Sequence, residues 1–182
     1  MGVLMATKIL ARSFYERPTL TVAKDLLGTY LVCQSAQGLL AGRIVEVEAY
    51  VGPEDRASHA SRGKTKRTEV MFGQAGIAYV YLIYGMHHCF NIVTEQEDYP
   101  AAILVRAVQL DDELIDGPGR LCRRFDISRT QTWHDLTLGK QLWLEDRGEQ
   151  VSSRRIVKGP RIGVDYAGEW AKKLWRFRLK GL

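Results

Sequence analysis

The chain has 182 residues, 46% of them hydrophobic and 26% charged, the balance of one soluble globular domain with a sizeable core; disordered and collagen-like classes are excluded. Its formal charge of +5 suits a polyanionic partner without requiring one. Three widely spaced cysteines, Cys33, Cys89 and Cys122, with no CxxC pair, fit buried thiols in a reducing compartment rather than a disulfide framework.

The first residues, M-G-V-L-M-A-T-K, lack the charged-then-apolar layout of a signal peptide, and no apolar run is long enough to span a membrane. A cytoplasmic protein is expected, as a single domain over 1–182 whose residues 1–10 form a loose lead. Pro18 to Leu27 reads as a helix, started by Thr19 or Thr21 as cap and ended by Gly28. Thr29 to Gln34 and Leu39 to Tyr50 read as two strands of a hairpin turning at 35–38.

In the second strand, R-I-V-E-V-E-A-Y alternates. Val45, Val47 and Ala49 share one face, read as core, while Ile44, Glu46, Glu48 and Tyr50 share the other. A carboxylate leaving a strand end beside an aromatic ring is a candidate general base. Two such carboxylates could also divide acid and base roles, as in a carbohydrate glycosidase. Alternatively, one pairs with Arg43 or Arg106 and leaves the other to do the chemistry. After the Gly52-Pro53 break, residues 54–61 read as a short helix that brings His59 near the strand end.

A basic cluster follows: Arg62, Lys64, Lys66 and Arg67. Gly63-Lys64-Thr65 ends like a phosphate-binding loop, but Ser58 stands where that loop needs its first glycine. Ala78 to Met86 alternates again, with Tyr79, Tyr81 and Ile83 on one face and Val80, Leu82 and Tyr84 on the other. Gly85 turns the chain, and C-F-N-I-V returns as a partner strand. The tyrosines read either as core and cross-strand pairs or as a stacking platform. His87-His88-Cys89 lacks a second ligand cluster and reads as structural, so no metal site is expected.

Ile103 to Leu110 is a strand holding Arg106 among aliphatic residues, a costly position unless a carboxylate or charged ligand meets it. Glycines and a proline at 117–119 open a helix through Phe125. Short strands are expected around Leu142–Leu144, Arg161–Asp165 and Leu174–Leu179. Nine Lys/Arg against two acids between Arg154 and Lys180 suggest an electropositive face. The fold class expected is α+β, with a mainly antiparallel mixed β-sheet and several short helices.

Five ordered blocks, G-R-I-V-E-V-E-A-Y-x-G-x-x-D-x-A-x-H, M-F-x-x-x-G-x-A-Y-V-Y-L-I-Y-G-M, C-x-N, I-L-V-R-A and R-I-G-V-x-x-A-G-E-W, closely resemble the alkyladenine (3-methyladenine, N-methylpurine) DNA glycosylase family. The resemblance runs from about Ala11 to Leu182. It implies a monofunctional hydrolase of base excision repair that flips a damaged purine from duplex DNA and leaves an abasic site, without metal or cofactor. By position it implies Glu48 as the base activating water, with Arg106 orienting it. Tyr50, His59 and Tyr81 would line the pocket, Asn91 would disfavour the amine of guanine, and Ile162 with Gly163 would close the water site.

Tyr84 would fill the gap in the duplex, with Met86 beside it, and the 62–67 cluster would touch the DNA backbone. Glu46 has no role by this resemblance and reads as structural. The implied partner is double-stranded DNA containing damaged purines, bound by a monomer, with nucleoid association if the source is bacterial. Only ten residues separate Arg106 from Gly117, shorter than in many family members. Two rivals remain at this point: a non-catalytic damage-sensing module, and a carbohydrate glycosidase using Glu46 and Glu48.

Overall fold

The computed structural model describes residues 7–36 and 38–181. Among them run ten strands: β1 (Lys8–Ile9), β2 (Tyr30–Ser35), β3 (Gly38–Val51), β4 (Ala78–Ile83), β5 (His87–Val93), β6 (Ala101–Leu110), β7 (Glu113–Asp116), β8 (Leu142–Asp146), β9 (Ile156–Gly159) and β10 (Arg176–Leu179). They pair antiparallel in one sheet, in the order β1-β8-β2-β3-β6-β5-β4, with β7 on β6 and the β9–β10 hairpin on β3. Three short α-helices accompany them, α1 (Arg12–Tyr15), α2 (Thr19–Leu26) and α3 (Pro118–Arg124). The fold is α+β. Of the expected loose lead, 1–6 lies outside the described residues, while Lys8–Ile9 pairs with Glu145–Asp146 and Leu10 enters the core.

One sheet face carries the main core. Val45, Val47 and Ala49 of β3 meet Phe90 and Ile92 of β5 and Ile103 and Val105 of β6. α2 closes this face with Val22, Ala23 and Leu26, which with the buried Thr19 form the i, i+3, i+4, i+7 stripe of an amphipathic helix, and α3 adds Leu121 and Cys122. On the other face of β4–β6, Tyr79, Val93 and Ala102 meet Ala60, Val70 and Met71 from the segment between β3 and β4. The residues that alternate away from the main core therefore lie under a second, smaller cover.

Several expectations are corrected. Ile44 does not share the face of Glu46 and Glu48; it is fully buried in the main core. The β3–β6 register slips between Ile44 and Glu46 and back between Glu46 and Val47, and such a bulge re-aims the residues around it. Neither threonine caps α2: Pro18 holds the cap position without a side-chain bond, and the Thr19 backbone N–H donates to Glu95 Oε1 at 2.9 Å. A carboxylate 76 residues away thus satisfies a helix-start donor. Residues 54–61 form turns leading into a 3-10 helix at His59–Arg62 rather than one helix. Arg161–Asp165 is no strand; it leads into a 3-10 stretch over Asp165–Lys172. The ten residues after Arg106 make a tight hairpin, β6 turning at Asp111 into β7.

Candidate active site

The end of β3 is held from both sides. Glu48 pairs with Leu104 of β6 on one flank and Arg176 of β10 on the other, so its backbone has little freedom. Gly52 then turns the chain with φ 77°, and a side chain there would collide with the Tyr99 hydroxyl; only glycine takes this turn cheaply.

Glu48 is fully buried. Its Oε1 accepts the Ile162 backbone N–H at 2.8 Å and lies 3.5 Å from Arg106 Nη1, while Oε2 accepts the Tyr50 hydroxyl at 2.9 Å. Burial pushes its carboxyl above the usual glutamate range; Arg106, the Ile162 amide and the Tyr50 hydroxyl partly offset this, and Glu46 adds to the rise. Two carboxylate oxygens offer about four acceptor positions, so this one still has capacity for a water. An ionised carboxylate with a free lone pair in a dry setting is competent to take a proton.

Above it lies a cavity of about 580 Å³ lined by Tyr50, His59, Tyr79, Tyr81, Arg106 and Ile162, among others. Asn91, Gly163, Tyr84 and Arg67 also border it. The pocket residues expected from sequence are thus brought into one cavity, with Glu48 beneath its lining. His59 meets Tyr81 edge-on, ring centroids 4.6 Å apart, and its Nδ1 lies 3.2 Å from the Tyr79 hydroxyl. Burial, then the charges of Arg67 and Arg62, drive its pKa down to about 4, so the imidazole is neutral at physiological pH. Both Asn91 amide bonds go to backbone carbonyls, Tyr79 and Cys89, at 3.2 Å; the side chain presents fixed bulk to the cavity.

The hairpin tip stands at the rim of this cavity. Tyr84 (φ 50°) and Gly85 (φ 68°) both take left-handed backbone, a strained choice for a tyrosine, and Tyr84 is 86% exposed. Met86 is exposed too but borders a different cavity. Arg62, Lys64 and Lys66 are surface residues, Lys64 lying 3.9 Å from Asp98. Arg67, also exposed, is the member of the cluster that borders the pocket, its guanidinium 5.4 Å from the Tyr81 ring centroid.

Glu46, read as structural, is neither idle nor a second free carboxylate. Its Oε1 takes Arg106 Nε at 3.1 Å and Arg176 Nη1 at 3.2 Å. Arg106 thus lies between the two acids, 3.1 Å from Glu46 and 3.5 Å from Glu48, an arrangement that ties Glu46 to two arginines rather than leaving it as a second unpaired acid. Sequence reasoning missed the buried pair of Asp55 and Arg161, both without side-chain exposure. Arg161 Nη2 donates to Asp55 Oδ1 at 2.9 Å, Nη1 to the Ala49 carbonyl at 2.9 Å, and the guanidinium lies 4.8 Å from the Tyr50 ring. Asp55 also accepts the Val51 and Ala57 amides. An arginine between apolar neighbours signals a buried partner at Arg161 as it does at Arg106.

A buried carboxylate under an aromatic pocket, with a basic surface beside it, suits hydrolysis of a bond to a flat ring carried by a polyanion. The family model described as Methylpurine-DNA glycosylase (MPG) matches residues 13–182. Similar curated proteins occur in Methanocella arvoryzae (50% identity, 93% of this chain and 91% of the relative), Myxococcus xanthus (51%, 94% and 90%) and Legionella pneumophila strain Corby (48%, 94% and 94%). All three are named, provisionally, 3-methyladenine DNA glycosylase. These matches make the chain a DNA glycosylase, a hydrolase of N-glycosyl bonds in base excision repair of alkylated purines. It belongs to the methylpurine-DNA glycosylase family. Among the described residues no helix is long and apolar enough to cross a membrane.

Proposed function

We propose that this protein extrudes alkylated or deaminated purine nucleotides from duplex DNA and hydrolyses the N-glycosidic bond with a water activated by Glu48. It does so as one monomeric domain in the cytoplasm, at the nucleoid in a bacterium. The observation that carries the reading is the buried Glu48 carboxylate, held by Tyr50, Ile162 and Arg106 beneath a pocket walled by aromatic rings. All of these residues come from one chain.

A base stacked in a duplex is out of reach, so extrusion precedes chemistry at a cost of about a few kcal/mol. Tyr84, projecting from the hairpin tip, offsets part of that cost by stacking in the vacated place. The extruded ring enters between Tyr50, His59 and Tyr81. A cationic alkylpurine gains cation–π attraction there, and the neutral His59 imidazole does not repel it. As the C1′–N bond breaks, its electron pair leaves with the base and the sugar gains oxocarbenium character. The water oxygen bonds to C1′ and its proton passes to Glu48. Arg106, fixed by Glu46, keeps the carboxylate in place. The immobilised bulk of Asn91 crowds a guanine amine, and Ile162 with Gly163 closes the site beside the water.

The test is single-turnover base release from duplexes carrying one 3-methyladenine, hypoxanthine or ethenoadenine, with alkaline cleavage of the abasic product. Release from at least one duplex is expected; tight lesion binding with no release from any would sink the mechanism. Tyr84→Ala should slow release by about 5- to 150-fold on duplex DNA, given about 1–3 kcal/mol per stacking contact, but much less on single-stranded substrate. Equal losses on both would remove the wedge role.

The pH profile follows from the site. Activity requires ionised Glu48, so release should fall as pH drops through a midpoint above 4.5, the ordinary glutamate value, because burial raises that carboxyl. His59, at about 4, should add no limb near neutrality. A limb near pH 6.5 (the free-histidine value) that vanished in His59→Gln would overturn this.

A further inference from the structure

We propose that the exposed arginine face of α3 (Arg120, Arg123 and Arg124) is a second phosphate-binding surface, holding the duplex flank opposite the one touched by the 62–67 cluster. The proposal rests on the DNA-binding activity of the family and extends it to a surface without an assigned role.

Spacing comes first. Arg120, Arg123 and Arg124 stand at i, i+3 and i+4, so they share one helix face, while Leu121 and Cys122 face the core. All three arginines are exposed, and among the described residues none meets a carboxylate within ion-pair distance. Their mutual repulsion therefore has no internal counterweight. Asp126 borders the neighbouring cavity with Arg123 but forms no ion pair with it. The bland account is that cations favour a helix C-terminus. That covers Arg123 and Arg124 in the last turn but not Arg120, which lies in a first turn devoid of acids, where a cation is disfavoured.

Position supplies the second argument. α3 packs beneath β5 and β6 through the main core, while residues 60–72 cover the other face of the same strands. The β4–β5 hairpin therefore projects Tyr84 and Met86 between two basic segments, one on each of its faces. Pro118, at the start of α3, borders the pocket over Glu48, and Arg123 shares a cavity with Met86 and His87. A wedge driven into a duplex needs both flanks held, or the duplex tilts away rather than opening. Cations on only one face would leave the second flank unrestrained.

The occupant is DNA backbone rather than an acidic protein, because the surface adjoins the same hairpin and pocket. The experiment uses the full-length chain with Arg120, Arg123 and Arg124 all replaced by alanine. Duplex affinity is measured from about 50 to 200 mM salt, beside an Arg62→Ala/Lys64→Ala/Lys66→Ala variant. With each phosphate contact contributing about 0.9 to the slope of log K against log[salt], the slope should drop by about 2–3 and binding weaken roughly tenfold. Lesion ranking should not change in the α3 variant.

On duplexes truncated on one side of the lesion, each variant should lose affinity only for the substrate that keeps its own flank. An unchanged slope in the α3 variant, with an unchanged melting temperature, would overturn the proposal, as would sensitivity of both variants to the same flank. Wild-type protein that binds with the full slope but releases no base would sink the proposed mechanism and leave this surface standing.

Discussion

Glu48→Gln should lose base release by about 10²–10⁴-fold, the usual contribution of a general base, while duplex affinity stays within about twofold of wild type. The amide keeps the shape of the carboxylate. Its oxygen can still accept the Ile162 N–H that now meets Glu48 at 2.8 Å, and its nitrogen can donate to the Tyr50 oxygen now 2.9 Å from Oε2. Arg106 retains Glu46 as a partner, so no guanidinium is stranded. What disappears is the group able to take the water's proton. A variant releasing base within tenfold of wild type would remove Glu48 from the reaction.

The same variant should not be less stable at neutral pH. Burial raises the Glu48 carboxyl above its ordinary value, so the native chain binds this proton more readily than the unfolded chain. Stability contributed by the neutral acid is present below the unfolded pKa and is lost as pH rises through the raised native one. Glutamine does not titrate. The melting temperature of Glu48→Gln relative to wild type should therefore increase as pH rises across that window. His59 acts with the opposite slope. Its pKa is driven down to about 4, so its share of stability is complete above about 6.5 and lost as pH falls toward 4.

The alternation of Val47, Glu48, Ala49 and Tyr50 was legible because a strand fixed between two neighbours must place alternate residues on opposite faces. The hairpin tip at Tyr84 and Gly85 was legible for a similar local reason. Ile44 was not: its face is set by a bulge in the register with β6, a property of the pairing rather than of either strand. Thr19 looks like a cap in sequence, yet the acceptor is Glu95 on a distant segment. Glu46 takes its meaning from Arg106 and Arg176, 60 and 130 residues away. The cost of an arginine among aliphatic residues pointed to a partner for Arg106 without saying which carboxylate. The roles of individual pocket residues came from resemblance, since spacing alone left the tyrosines equally suited to a core.

Asp55 and Arg161 show what lay furthest from local reading. Asp55→Ala should lower stability by about 3–5 kcal/mol, the usual cost of leaving one member of a buried pair uncompensated. For a chain of this size that is a fall of about 6–20 °C in melting temperature. Two further losses accompany it, because Asp55 also accepts the Val51 and Ala57 amides that shape the turn before His59. Asp55→Ala combined with Arg161→Met should recover part of the fall, since the stranded guanidinium is then gone; a double-mutant cycle measures the coupling.

The effect reaches the chemistry through Tyr50. Arg161 lies 4.8 Å from that ring, and the ring's hydroxyl donates to Glu48. If the folded Asp55→Ala protein holds Tyr50 less firmly, Glu48 loses a bond that holds its pKa down. The acid limb of the release profile should then move to higher pH, measured well below the variant's melting temperature. A melting temperature within about 2 °C of wild type, less than the about 1 kcal/mol of a single ordinary contact, would show that the pair does not hold this corner of the site. A normal pH profile in a clearly destabilised variant would confine Asp55 and Arg161 to folding and leave the orientation of Tyr50 to β3 alone.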